Sequence, residues 1–156
     1  MKYVILFILA SLVMGCNVVD PTLLSGPVED IPPENFVNAT VSILSEEGYT
    51  IQTVDHVAGL VTTEWRDESS YVSQSFWDVS RRTRISVVLD FYTHNVNVQM
   101  TKQKRDSDDP WRNDGLSNTD RDRMKLILVR IQERARAITQ RETETVVANK
   151  SGVSVW

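Results

Sequence analysis

The residues able to do chemistry in this 156-residue chain are few, and most stand apart from one another. His56 and His94 are the whole imidazole supply. His56 follows Asp55 in a turn-like stretch, and His94 opens an alternating one. A transition-metal site needs three or four converging ligands, so both read as exposed turn residues. Asp106, Asp108, Asp109 and Asp114 crowd together but lack the alternating ligands, central glycine and final glutamate of a twelve-residue calcium loop. They read as a solvated acidic loop. Serines gather in 66–80 without a Gly-x-Ser-x-Gly elbow or an assigned base, and the phosphate-cradling glycine patterns are absent. Asp67 and Glu68 are adjacent, so they point apart. No catalytic or metal-ligating set is expected, and no cofactor; an envelope hydrolase is the remote alternative. The one side chain in a distinctive setting is Cys16, the only cysteine.

Cys16 ends an N-terminal segment with one early cation, Lys2, and an apolar run from Tyr3 to Met14 broken only by Ser11. The run is too short for a typical bilayer span, and the small Gly15 suits cleavage, so 1–15 reads as a targeting peptide. The competing reading is an ordinary secretory peptide, or a membrane helix, with an incidental cysteine. The ending Leu12-Val13-Met14-Gly15-Cys16 resembles the lipobox of bacterial lipoproteins. That resemblance implies cleavage between Gly15 and Cys16, a diacylglycerol on the Cys16 thiol and an N-acyl chain (palmitate or similar) on the new terminus. Several acyl chains anchor stably where one does not, at about 0.8 kcal/mol per buried methylene. A lone cysteine fits this role, since an exported chain has no internal partner for it. Asn17 is not the aspartate that retains enteric lipoproteins in the inner membrane. By that analogy the chain is expected on the periplasmic face of the outer membrane.

The remaining 141 residues suit one domain with one core. The formal charge of −4 becomes −5 once Lys2 is removed. No basic excess invites nucleic acid.

Residues 16–33 are expected to be a lipidated tether, because Pro21, Gly26, Pro27, Pro32 and Pro33 break regular structure. A helix is expected over Glu34 to Glu47, with Phe36, Val37, Val41 and Leu44 on its apolar face and Gly48 as its stop. Glu46 and Glu47 sit poorly at its negative end. Two strands follow, Tyr49–Asp55 and Leu60–Trp65, with Val61, Thr63 and Trp65 sharing a face. Residues 66–80 are expected to be a long polar loop covering one end of the core, or in part an extension of a strand. Two longer strands come next, Arg82–Phe91 and His94–Lys104. The first turns Thr83, Ile85, Val87 and Leu89 inward, and the second Val96, Val98 and Met100. Residues 106–118 make a second loop. The strongest periodicity runs from Asp120 to Arg141, where Met124, Ile127, Leu128, Ile131, Ala135 and Ile138 make one stripe and Thr119/Asp122 have capping-box spacing. The domain is thus expected over 34–141, with a tail at 142–156. Its fold class is α+β, two layers, with a four-stranded antiparallel sheet and both helices on one face.

Together, Gly48-Tyr49, the segment Gly59-Leu60-Val61-Thr62-Thr63-Glu64-Trp65, the arginine-rich strand Arg81–Leu89, the strand Val96–Lys104 and the closing helix resemble the BamC-like lipoproteins of the outer-membrane β-barrel assembly machinery. The resemblance covers roughly 34–141 and implies a helix-grip-like domain. It also implies a non-catalytic accessory or scaffold subunit that binds other envelope proteins, β-barrel assembly or secretion machinery among them. The candidate binding surface comprises Phe76, Trp77, Trp111, Arg123, Arg130 and Arg134. Arg81, Arg82 and Arg84 are further cations that could face anionic lipid. A lipid or lipopolysaccharide carrier using a groove between helix and sheet is the main alternative; it would need an unfilled apolar cavity, where a scaffold has a packed core.

Overall fold

A computed structural model of the chain describes residues 23–28, 31–69 and 78–151. The expected targeting segment, Gly15, Cys16, Phe76 and Trp77 lie outside the described residues. Seven strands and two helices follow in the order β1 (Leu23–Pro27), α1 (Pro33–Glu46), β2 (Ile51–Asp55), β3 (Leu60–Thr63), β4 (Arg66–Asp67), β5 (Val79–Asp90), β6 (Asn95–Asp106), β7 (Arg112–Asp114) and α2 (Asn118–Ser151). The sheet is antiparallel in the order β1-β6-β5-β3-β2, with β4 also on β5 and β7 also on β6. The α+β class with one antiparallel sheet is as expected, but the sheet is larger than four strands.

The extra strands escaped the pattern for physical reasons. Leu23–Pro27 was expected to be irregular because it contains Gly26 and Pro27. It pairs as an edge strand instead, with Pro27 at its end, where a missing N–H costs little. Gly26 is used for close approach: a Cβ there would lie 3.0 Å from Leu128 Cδ2. β4 and β7 are only two and three residues long and wholly polar, too short to alternate.

Period-two alternation organises the centre. Thr83, Ile85, Val87 and Leu89 of β5 and Val96, Val98 and Met100 of β6 are buried. Phe36, Val37, Ile43 and Leu44 of α1 and Met124, Ile127, Leu128 and Ile131 of α2 close over them. Each such fully buried side chain contributes roughly 1.5–3 kcal/mol. α1 lies against β2, β3 and β5, while α2 lies against β6 and β1. Both helices therefore share one face. At Gly59 the backbone turns with φ +61°, and a Cβ would meet Leu89 and Phe91 at 2.9 Å, so only glycine fits this hairpin end.

α2 begins earlier and ends later than expected. The capping pair is Ser117 with Asp120, two residues before the expected Thr119 and Asp122. Asp120 Oδ2 accepts from the Ser117 N–H and hydroxyl, and the Asp120 N–H donates to Ser117 Oγ. Both registers satisfy the capping spacing. Lys102 on β6 decides between them, donating to Asp120 at 2.8 Å in a largely shielded ion pair. Asp122 instead pairs with exposed Lys125.

Burial works against ionisation of the Asp120 carboxyl, but hydrogen bonds from Lys102 and Ser117 outweigh it and hold its pKa below the ordinary 3.8. A depressed folded-state pKa stabilises the fold above the unfolded value, and the contribution disappears as pH falls through the folded one. Asp120→Asn should therefore cost about 1 kcal/mol at neutral pH. That gap should hold down to roughly pH 5 and close below the unfolded pKa. Urea titrations of both proteins across acidic pH read this directly, and a gap unchanged at the acid end would refute the assignment.

Candidate binding surface

The sheet face away from the helices carries the most organised cluster of functional side chains. Arg82 and Arg84 alternate with the buried Thr83 and Ile85, so they point outward from β5. The register sets Arg82 opposite Gln103 and Arg84 opposite Thr101, and Ser80 opposite Arg105. Two tryptophans flank this row from the short strands. Trp65 precedes β4, and Trp111 precedes β7.

The result is an alternating stack. The Arg82 guanidinium lies 4.3 Å from the Trp65 ring centroid and 4.1 Å from that of Trp111. Arg84 covers Trp65 and Arg105 covers Trp111, each at 4.8 Å. Arg82 Nε and Nη2 both donate to Gln103 Oε1, at 3.1 and 2.8 Å. Exposed cation–π contacts contribute roughly 0.5–1 kcal/mol each. Desolvation lowers the Arg82 pKa, and the neighbouring charges of Arg105 and Arg84 lower it further. Asp67 on β4 stands opposite Arg82 in the strand register. Its carboxyl titrates low chiefly through the Ser69 hydroxyl and backbone N–H, with Arg105 the weakest influence.

Sequence reasoning placed Trp65 with Val61 and Thr63. The structure buries Val61 and Thr63 but turns Trp65 to the outer face, because the irregular link between β3 and β4 breaks the alternation. Trp111, an expected surface residue, joins the same stack. Arg105 lies one residue beyond the expected end of its strand, and its alternation with Gln103 was the available signal.

Arg123, Arg130 and Arg134 lie elsewhere, on α2 facing the C-terminal end of α1. Arg130 pairs with Glu46 and Glu47, Arg134 with Glu46 and Ser42, and Arg123 with Glu47 and Glu68. Arg66 donates to the Glu47 carbonyl at 2.8 Å, satisfying an orphan acceptor at the helix end. Arg66 and Arg123 also cover the buried Tyr49 ring, at 4.0 and 5.3 Å. Burial raises the Tyr49 phenol pKa; the Thr83 hydroxyl and the two arginines only partly offset it. These cations are thus engaged within the fold.

The aspartate-rich segment is likewise engaged. Asp106 and Asp109 accept from Arg112, and Asp114 pairs with Arg81. His56 and His94 lie exposed in their turns. No group of three or more His, Cys, Asp or Glu converges among the described residues. Among the same residues no helix is long and apolar enough to cross a membrane. No family model matches the chain, and no curated protein matches it.

Arg82 is the centre of the stack, so its shape should matter as well as its charge. Arg82→Lys keeps the charge but loses the planar contact and the forked hydrogen bond, and should cost about 1 kcal/mol. A double-mutant cycle between Arg82→Ala and Trp65→Ala should give a coupling of about 0.5–1 kcal/mol. Additive denaturation energies in that cycle would mean the stack is geometric coincidence.

Proposed function

We propose that this chain is an outer-membrane lipoprotein, anchored through acylated Cys16, whose domain is a non-catalytic accessory or scaffold subunit binding another envelope protein. Tethering raises the domain's effective concentration near its partner without any new contact. The BamC-like resemblance points to the β-barrel assembly or secretion machinery as the setting.

The observation that carries the protein-binding part is the end of α2. The bond from Asn35 Nδ2 to Glu142 ties α2 to the start of α1. Beyond it the helix runs on to Ser151, a projection of about 14 Å. Arg141 to Val147 are all exposed, Val146 and Val147 among them. The hydroxyls of Thr143 and Thr145 bond back to the carbonyls of Thr139 and Arg141. Thr143, Thr145, Val146 and Val147 are weak helix formers, so propensity does little to hold this arm. Helices are stabilised chiefly by packing an apolar face, and this one offers two valines for a partner to cover.

The seam between helices and sheet favours docking over lipid carriage. Phe36, Ile43, Leu44, Met124, Ile127 and Ile131 fill it, each essentially without solvent exposure. An acyl chain entering there would have to displace close-packed side chains.

A photo-crosslinker at position 146 of the acylated protein, activated in its own membranes, should give one discrete adduct with another envelope protein. Val147→Asp should abolish the adduct while leaving the melting temperature unchanged, since Val147 is exposed. Absence of any adduct, or persistence of the same adduct in the aspartate variant, would contradict the reading.

A further inference from the structure

We propose that the outer sheet face at Trp65, Arg82, Arg84, Arg105 and Trp111 seats against a bilayer surface that presents lipid phosphates.

The face carries an excess of positive charge: Asp67 is opposite Arg82 in register but lies within 4.0 Å of none of the face's three arginines. Arg66, Arg81, Arg112, Arg123, Arg130 and Arg134 each have a carboxylate oxygen within 4.0 Å. Arg82, Arg84 and Arg105 have no such ion pair among the described residues, although they are stacked in one layer. Planar guanidinium groups bind phosphate through paired N–H donors. Tryptophan rings prefer the headgroup level, where an apolar body and a polar edge are both satisfied. An alternating stack of the two residue types on a sheet is a flat surface, suited to a flat ligand.

The attachment point selects the lipid surface over a soluble anion. Leu23 pairs with Gln99, and Gln99 lies on the same outward face as Thr101, Gln103 and Arg105. Leu23 is itself 55% exposed. From Gln99 to Gln103 is four residues, about 13 Å along the strand. Cys16 is seven residues before Leu23, a reach of about 25 Å at most. An anchor at Cys16 can therefore reach the plane of the arginine layer. The chain's net charge is −4, so an anionic bilayer repels the domain generally and accepts it by this face.

This inference rests on acylation of Cys16 for its geometry, so the test reads acylation separately. The full-length processed protein, with Trp77→Phe and Trp156→Phe so that only Trp65 and Trp111 emit, is placed in vesicles with brominated acyl chains. One set is neutral phosphatidylcholine; the other contains about one-third phosphatidylglycerol. Quenching is expected to be at least about twofold stronger with the anionic lipid and to fall to the neutral level at about 1 M salt. Arg84→Gln with Arg105→Gln should remove the difference. Each of those arginines makes one ring contact at an end of the stack, so a thermal melt should hardly change. Equal quenching in the two lipids overturns the proposal, and that comparison does not depend on the stability of any arginine variant. A difference that survives in the double variant overturns it too. Intact mass gives the acylation state: acylated protein without a lipid difference sinks the docking face alone, while unacylated protein that still shows the difference sinks the anchor alone.

Discussion

Twelve consecutive residue pairs join β5 to β6, and their register decides which side chains meet. Because side chains alternate with period two, a slip of one residue would exchange the faces of a strand. If β5 slipped, Ile85 and Val87 would meet water and Arg82 and Arg84 the helices; if β6 slipped, Val98 and Met100 would meet water and Gln103 and Arg105 the helices. The cost of burying unpaired guanidinium groups makes that alternative inaccessible. The same alternation that builds the core thus assembles the Trp–Arg stack on the opposite side. The short strands β4 and β7 extend the sheet where the stack lies, and each is preceded by a tryptophan that flanks Arg82.

Charge is handled in two different ways on the two faces. On the helix side, Glu46 and Glu47 crowd the negative end of α1, an arrangement unfavourable for an isolated helix. α2 resolves it by aligning Arg123, Arg130 and Arg134 along that end. Each half-exposed pair contributes little alone, roughly 0.2–1 kcal/mol. Together they specify which stretch of α2 crosses α1, and Lys102 with Asp120 fixes where the helix begins. On the sheet side Arg82, Arg84 and Arg105 are held by aromatic rings and one glutamine, with no carboxylate oxygen within 4.0 Å among the described residues.

Much of this was legible in the residue order. The clean alternation of β5 and β6 and the three-to-four spacing in α2 reflect strong burial gradients, and both elements appeared where those gradients are strongest. The strand at Leu23–Pro27 was hidden because Gly26 and Pro27 carry the local signature of a breaker, while its pairing with β6 is a tertiary event. The ten residues of α2 after Arg141 were hidden because Val146, Val147 and Ala148 are the only apolar residues in them and stand in one run, so they leave no periodic trace. The stack was half legible: Trp111 stood out by type and Arg82 and Arg84 by alternation. The position of Trp65 depends on an irregular link, where period-two reasoning fails. The partners of the paired arginines of α2 were not legible because they lie 55 to 88 residues away in sequence.

In the arrangement we propose, a short lipid tether holds the sheet face toward the bilayer and leaves the helical layer turned away from it toward a protein partner. The most direct test is depth. Nitroxide labels at Gln99→Cys on the sheet face and Val129→Cys on α2, in the acylated protein within anionic bilayers, report immersion by power saturation. The account predicts that the label at position 99 lies at the phosphate level and the label at 129 well above it, in water. Equal depths, or the reverse order, would contradict it.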